Sequence, residues 1–156
     1  MNGKKSTLFA SAVAATAVTV GVVSVASAAS THDSHHTLHL VASGGEHSAQ
    51  HGGGPPALGA EDAFNEQLAD QSGNLVGHAG GNCTIVSFKD GNGEALCSIT
   101  LVLPGGDIVL GGLQPLSHDP FTMAVVGGTG NYDKASGAAD VTVSPDRKRN
   151  VTVHLN

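Results

Sequence analysis

Residues 83–97 read CTIVSFKDGNGEALC, and this stretch has the pattern of a β-hairpin. Two runs rich in apolar and β-branched residues flank the turn signal Lys89-Asp90-Gly91-Asn92-Gly93, in which Asp-Gly favours a tight hairpin turn. The midpoint of the two cysteines is position 90, inside this turn. A hairpin centred there places Cys83 opposite Cys97 on neighbouring strands. The stretch therefore predicts an antiparallel sheet.

Short apolar runs and turns continue to alternate on both sides of this hairpin. No run has the sustained period of 3.6 residues that a long amphipathic helix needs. Eight short strands with alternating faces fit either a closed up-and-down barrel or a two-sheet sandwich. If the barrel closes, the scarcity of large aromatic residues leaves room for a cavity inside it. The predicted strands cover residues 37–42, 62–70, 75–78 continuing into 83–88, 95–103, 107–113, 121–127, 137–143 and 150–155.

The composition excludes several classes of protein. A length of 156 residues suits a single domain, and 40% hydrophobic with only 13% charged residues is too apolar for a disordered chain. Thirteen acidic against seven basic residues give a net charge of −6, and the only basic cluster is Arg147-Lys148-Arg149. A nucleic-acid partner or an anionic membrane surface requires a larger basic surface. We therefore expect neither.

The N-terminal residues have the organisation of a secretory signal peptide. Lys4 and Lys5 precede an uncharged run over residues 8–25, and Ala26-Ser27-Ala28 supplies the small residues of a cleavage site. The alternative is a membrane span, but the Ala, Ser and Thr content makes the run weakly hydrophobic. We expect residues 1–28 to be removed, which leaves no membrane span. The protein would then be secreted or held in the cell envelope, in a style typical of a bacterial exporter.

Export would place both cysteines in an oxidising compartment, where an even number normally pairs. We therefore expect a Cys83–Cys97 disulfide, and closing this 15-residue loop contributes about 3 kcal/mol in the chain-entropy model. The alternative is a catalytic or metal-binding pair of thiols.

Three segments resemble, in the same order, the signature of the dirigent and allene oxide cyclase superfamily. Residues 123–137, MAVVGGTGNYDKASG, resemble its strand ending in Gly-Gly-Thr/Ser-Gly, then an aromatic residue and Ala-x-Gly. Residues 64–70, FNEQLAD, resemble its F-x-N-x-L-x-D strand, and residues 75–83, LVGHAGGNC, resemble its V-G-x-x-x-G-x-C run. The resemblance decides between the two architectures.

What this resemblance implies is an all-β, eight-stranded antiparallel up-and-down barrel, usually trimeric, with a largely apolar lumen. Residues 57–156 would form the barrel domain, and residues 29–56 a His- and Gly-rich segment that contributes the first strand. Relatives cyclise an oxylipin epoxide or steer the coupling of phenoxy radicals, in both cases by confining a reactive molecule.

Positions that carry chemistry in the family differ in this chain. The family's pocket asparagine falls on Glu66, the acidic residue of its first strand on His39, and its pocket cysteine on Cys83. Dirigent proteins place arginines near the Ala-x-Gly segment, where this chain has Asp133 and Ser136. Neither allene oxide cyclisation nor lignan-type coupling is therefore predicted.

Glu66 is the leading candidate for a catalytic group. It shares one face of its predicted strand with Phe64 and Leu68. If that face lines the lumen, the carboxylate is desolvated and suited to general acid–base work. The alternative is a strand register that points it to solvent.

Four other residues complete the predicted site. His39 is a second candidate catalytic group, although it lies between two leucines and faces away from both. Asn65, His78 and Tyr132 lie in the segments that resemble the family, and we expect them to contact the ligand.

A tract of histidines near the N-terminus invites a metal hypothesis, because imidazoles bind zinc or copper. Neighbouring glycines argue against a helix, and no cysteine or carboxylate pattern completes a site. We expect a solvated linker, with no metal site and no cofactor. The histidines are His32, His35, His36, His39, His47 and His51.

The leading hypothesis is a secreted barrel, stabilised by a disulfide, that binds an apolar small molecule in its lumen and directs an isomerisation or cyclisation. The alternative is a non-catalytic binding or structural protein on the same barrel. Either would form a homotrimer if it follows the family.

Overall fold

A computed structural model describes residues 36–49 and 57–156, which form a closed antiparallel barrel. Each strand pairs with the next along the chain, and the eighth pairs with the first, which confirms the predicted up-and-down barrel. The predicted signal peptide lies outside the described residues. The strands are β1 (His36–Ala49), β2 (Glu61–Ala69), β3 (Leu75–Lys89), β4 (Asn92–Leu103), β5 (Gly106–Pro115), β6 (Phe121–Gly128), β7 (Gly137–Val143) and β8 (Arg149–Leu155).

The core lies inside the barrel and follows the two-residue period of the strands. Alternate residues of β4 and β8 are buried, as their apolar alternation predicts. Full burial of each large aliphatic side chain contributes about 1.5–3 kcal/mol. The largest fully buried side chains are Leu68, Leu101, Ile108, Leu110, Met123 and Val153.

The hairpin of β3 and β4 forms as predicted. Lys89 pairs with Asn92 around a two-residue turn, in which Asp90 and Gly91 have φ of 53° and 83°. Positive φ at both central residues is what a type I′ hairpin turn requires. Cys83 lies directly opposite Cys97, and a disulfide joins them, which confirms the predicted bridge.

Strand β1 is longer than the sequence predicts, because it continues through two glycines to Ala49. Gly44 and Gly45, with φ of 65° and 105°, form a bulge at which two residues of β1 lie opposite one of β2. A Cβ on Gly45 would lie 1.7 Å from the backbone oxygen of Asn65, so the strands approach this closely only at a glycine. The extra residue reverses the alternation of β1, and His47 therefore faces the same side as Ala42.

The two ends of the barrel carry different loops. The β3–β4, β5–β6 and β7–β8 connections lie at one end, together with the end of β1 and the start of β2, and we call this end the mouth. The opposite end includes a short 3₁₀ turn, Gly130–Tyr132. Gly130 has a φ of 59°, and a Cβ there would lie 2.1 Å from the backbone oxygen of Gly105, so this glycine-rich segment is a close-packed barrel corner. In the described part of the chain, no helix is long and apolar enough to cross a membrane.

Candidate functional site

Glu66 lies on the inner face of β2, as its alternation with Phe64 and Leu68 predicts. It is 5% exposed, and within residues 36–47 and 57–156 it is the one buried residue that is polar or charged. Burying an ionised carboxylate is costly unless a cation and hydrogen-bond donors accompany it. The surroundings of Glu66 therefore decide what it can do.

Arg149, the first residue of β8, is the partner of this carboxylate. Its Nη1 donates a hydrogen bond to Glu66 Oε1, and its side chain is 26% exposed. Strand β1 lies between β2 and β8, so the two side chains meet across it. They can do so because β1 presents only Ala42 opposite Arg149 and the glycine bulge opposite Glu66.

His47 connects the buried carboxylate to the surface. Its Nε2 lies 3.6 Å from Glu66 Oε1, and its Nδ1 lies 3.5 Å from Asp62 Oδ2. The imidazole and the Asp62 side chain are both about two-fifths exposed, at 44% and 41%. At 3.5–3.6 Å neither contact is a hydrogen bond, and the imidazole lies between the two carboxylates as a group that can carry either one N–H or two.

Phe64 forms the apolar wall of the same site. Its ring is stacked on the His47 imidazole, with centroids 5.9 Å apart and an interplanar angle of 23°. The Arg149 guanidinium carbon lies 5.8 Å from the Phe64 ring centroid, within cation–π range. We call Asp62, Phe64, Glu66, His47 and Arg149 the Glu66 cluster.

The interior of the barrel has little free space beyond this cluster. The cavity next to Glu66 has a volume of about 30 Å³. Since one water needs at least roughly 10–15 Å³ by this measure, there is room for about two water molecules and not for an aromatic ligand. The scarcity of aromatic residues predicts an open cavity in the lumen. Aliphatic side chains such as Leu68 and Leu101 fill that space instead.

Two larger cavities lie outside this interior, at the mouth, with volumes of about 320 and 390 Å³. Each is within the usual range for small-molecule sites. Both are lined by His47, Gln114, Leu116 and Arg149, so together they form one mouth with two lobes.

The two lobes differ in charge. The first, which we call the acidic lobe, contains Glu61 and Asp62 against an apolar wall that includes Ile85 and Ala95. The second, which we call the basic lobe, is lined by these residues: His47, Glu66, Gln114, Leu116, Ser117, His118, Phe121, Val143, Arg147 and Arg149. A ligand at the mouth therefore meets opposite charges on its two sides.

The sequence of residues 41–155 matches the model of a protein family, the allene oxide cyclase barrel-like domain. This chain belongs to that family. Among curated proteins none matches its sequence.

Several solved structures are similar to this allene oxide cyclase-like barrel. A pyocyanin demethylase is 30% identical with a TM-score of 0.69, and the match covers 77% of this chain and 99% of that one. An exo-specific intermolecular Diels-Alderase is 20% identical with a TM-score of 0.64, covering 78% and 97% of the two chains. A pterocarpan synthase dirigent protein is 19% identical with a TM-score of 0.62, covering 77% and 86%. The last two likenesses show a shared fold.

The other predicted site residues of this allene oxide cyclase-like barrel lie away from the mouth. His39 is exposed on the outer face, where its Nδ1 lies 3.3 Å from Thr152 Oγ1. Asn65 and His78 are also exposed on outward-facing strand positions, because each alternates with an inward neighbour. Tyr132 lies in the 3₁₀ turn at the opposite end. None of the four lines the acidic or basic lobe.

Three residues at the mouth had no assigned role from the sequence. In the sequence, Arg149 belongs to a basic cluster and His47 to a histidine tract, and Gln114 directly follows the predicted strand 107–113. The sequence does contain a pattern that places Arg149: it lies two residues before Val151 and therefore on the inward-facing side of β8. The signal for His47 needed the bulge, which the sequence alone does not reveal.

The histidine tract is partly a strand. Its described members His36, His39 and His47 all lie on β1, whereas His32, His35 and His51 lie outside the described residues. In residues 36–49 and 57–156, no three His, Cys, Asp or Glu side chains are grouped as metal ligands.

Proposed function

We propose that this barrel binds a flat, mostly apolar small molecule at its mouth and that Glu66 exchanges a proton with the bound molecule. The observation that carries the proposal is a buried carboxylate, paired with Arg149, at the base of a mouth that is large enough for a ligand. A few polar side chains that converge on a cavity of ligand size mark a candidate site.

Binding would depend on the apolar surfaces around Glu66. Phe64 lines the interior cavity and the acidic lobe, Phe121 the interior cavity and the basic lobe, and Leu116 both lobes. A planar aromatic molecule can lie against these side chains with its ring edge toward Glu66. The Gln114 amide faces the same space and offers both a donor and an acceptor.

In the proposed mechanism, Glu66 accepts a proton from one position of the bound molecule and returns it to another, which is an isomerisation. His47 would exchange the proton of Glu66 with solvent once a bound ligand brings its Nε2, now 3.6 Å from Glu66 Oε1, within hydrogen-bond distance. One N–H group of Arg149 donates a hydrogen bond to Glu66. Its other N–H groups can stabilise negative charge that develops on a ligand oxygen. Confinement against Phe64 holds the molecule in one orientation.

A compound for the first test comes from the similar pyocyanin demethylase. Pyocyanin is a planar three-ring N-methylphenazine, which is the shape that the mouth would accept. We therefore propose nitrogen heteroaromatic compounds of this type as the substrate class.

Binding and turnover of pyocyanin by wild type, Glu66→Gln and Glu46→Gln test the proposal. Calorimetry measures affinity, and absorbance with product analysis measures turnover. Because the amide keeps the shape of the site, Glu66→Gln should bind within about threefold of wild type and lose turnover at least roughly 100-fold. Glu46→Gln, an exposed carboxylate on the outer face of β1, should match wild type.

Three outcomes separate the hypotheses. Full turnover by Glu66→Gln would exclude its catalytic role. Binding without turnover in wild type would indicate the non-catalytic alternative. The absence of binding to pyocyanin and to a panel of planar heteroaromatic compounds would contradict the proposed ligand class.

We also propose secretion after cleavage behind Ala28 and assembly into a homotrimer. The disulfide is compatible with an oxidising compartment. Leu96 on β4 pairs directly with Leu113 on β5, on the outer face of the barrel. The exposed fractions of Leu96, Leu113 and Val126, the last on β6, are 53%, 46% and 62%. A native mass spectrum of exported protein tests both, because a mature chain starting at Ala29 and a trimeric mass are expected.

A further inference from the structure

The basic lobe carries a positive charge, that of Arg147, which the protein does not neutralise. Arg147 and His118 both line this lobe and are exposed. Within residues 36–49 and 57–156, neither has a carboxylate within ion-pair distance, although the whole chain has a net charge of −6. Glu66 is the one acidic residue that lines the lobe, and Arg149 already pairs with it.

The acidic residues near Arg147 and His118 interact with other side chains. Asp146, next to Arg147 in the β7–β8 turn, is paired with Lys148 at 2.8 Å. Asp119 accepts a hydrogen bond from Ser117 Oγ at 2.7 Å and does not line the lobe. The positive charge of Arg147 is therefore available to a ligand.

The turn that carries Arg147 is closed by hydrogen bonds. Ser144 N donates to the Lys148 backbone oxygen and Arg147 N donates to the Ser144 backbone oxygen, both at 2.9 Å. This fixes the backbone from which the guanidinium reaches the lobe. Apolar side chains, Phe121 and Val143, line the lobe beside it.

We propose that the basic lobe is a subsite for an anionic substituent, such as a carboxylate, on the aromatic ligand, and that Arg147 determines this specificity. This inference rests on the proposed function, since the aromatic body of the ligand lies against the Glu66 cluster. The apolar wall selects an anion carried on a ring over a free inorganic anion. An arginine binds a planar carboxylate with two parallel hydrogen bonds, which suits this role.

A matched pair of ligands tests the charge without changing the shape. Phenazine-1-carboxylate and phenazine-1-carboxamide would be titrated by calorimetry against wild type, Arg147→Gln and Lys134→Gln. Lys134 is a matched control because it is an exposed cation at the opposite end with the same backbone conformation, φ of 63° against 64° for Arg147. Both variants remove one positive charge.

Wild type should bind the carboxylate about five- to tenfold more tightly than the carboxamide, as one partly exposed charge-assisted contact predicts. Arg147→Gln should abolish this preference and leave carboxamide affinity unchanged, whereas Lys134→Gln should keep it. The preference should also fall with added salt.

Equal binding of the two ligands by wild type would overturn the subsite and leave the proposed function standing. An equal loss in Arg147→Gln and Lys134→Gln would also overturn it, because net charge alone would then explain the preference. The absence of binding by either ligand would contradict the subsite and the proposed ligand class together.

Discussion

Removal of Arg149 should destabilise the barrel more than removal of the carboxylate that it pairs with. Arg149→Met keeps a long apolar side chain on β8 and leaves Glu66 as an unpaired carboxylate whose side chain is 7% exposed. Glu66→Gln does the reverse, because it leaves an arginine that is 26% exposed and still able to contact water. The two single changes therefore differ in how much uncompensated charge remains buried.

The expected magnitudes follow from this asymmetry. Breaking a buried pair costs about 3–5 kcal/mol, and we place Arg149→Met near 3 kcal/mol because Arg149 is partly exposed. Glu66→Gln should cost about 1 kcal/mol, the net value of a typical hydrogen bond. The double variant should cost less than Arg149→Met alone, which gives a coupling energy of about 2 kcal/mol.

Urea unfolding followed by far-ultraviolet circular dichroism measures these free energies in the disulfide-bonded protein, which has no tryptophan to report by fluorescence. With a slope of about 1.5 kcal/mol per molar urea, Arg149→Met should lower the midpoint by about 2 M. Arg147→Met, a change of an exposed arginine in the adjacent turn, is the control and should stay within about 0.5 kcal/mol. Additive losses in the double variant would refute the reasoning, as would an Arg149→Met cost no larger than that of the control.

Three further predictions concern the supports of the barrel and its mouth. Reduction of the disulfide should lower the free energy of unfolding by about 3 kcal/mol, measured by urea unfolding with and without reductant. Gly45→Ala should cost more than about 3 kcal/mol, because its Cβ meets a backbone oxygen at 1.7 Å in addition to the strain of a positive φ, whereas Gly44→Ala, with nothing within 4 Å, should cost only that strain, about 1–2 kcal/mol; equal losses would contradict the assigned bulge. Hydrogen bonds from Lys148 and Ser144 lower the pKa of Asp146 to about 2 from 3.8, so its contribution is complete above about pH 4 and is lost as the pH falls through about 2. Nuclear magnetic resonance titration should show this midpoint, and Lys148→Gln should raise it toward 3.8.

The barrel could be predicted from the sequence because most of its signals are local. The Asp90-Gly91 turn fixes the β3–β4 hairpin, and the register of that hairpin places the two cysteines opposite each other. The apolar alternation of β8 is continuous, so its buried face is apparent without knowledge of its neighbours. The choice of barrel over sandwich came from the resemblance to the family, and the closed strand order confirms it.

The first strand was only partly predictable because a bulge depends on its partner strand. Gly44 and Gly45 look like the start of a flexible linker in the sequence, and only the approach of β2 makes them part of a strand. Without the bulge, the two-residue period places Glu46 inside and His47 outside, which is the reverse of what the structure shows. The sequence therefore does not distinguish His47 from the other histidines of the tract.

Of the candidate site, the sequence predicts the position of Glu66 but not the partner of its carboxylate. The inward position of Glu66 follows from alternation with Phe64 and Leu68, and the same alternation requires Asn65 to face outward. The pairing of Glu66 with Arg149 joins positions 83 residues apart across an intervening strand, and no local pattern reports it.

The most direct test of a ligand site above Glu66 is a map of the residues that a bound ligand perturbs. We would add pyocyanin to the isotope-labelled protein and follow backbone and side-chain shifts by nuclear magnetic resonance. The structure predicts the largest changes at His47, Phe64, Gln114 and Arg149, with none at the outward-facing His39. Changes confined to the outer face or to the opposite end of the barrel would contradict the account.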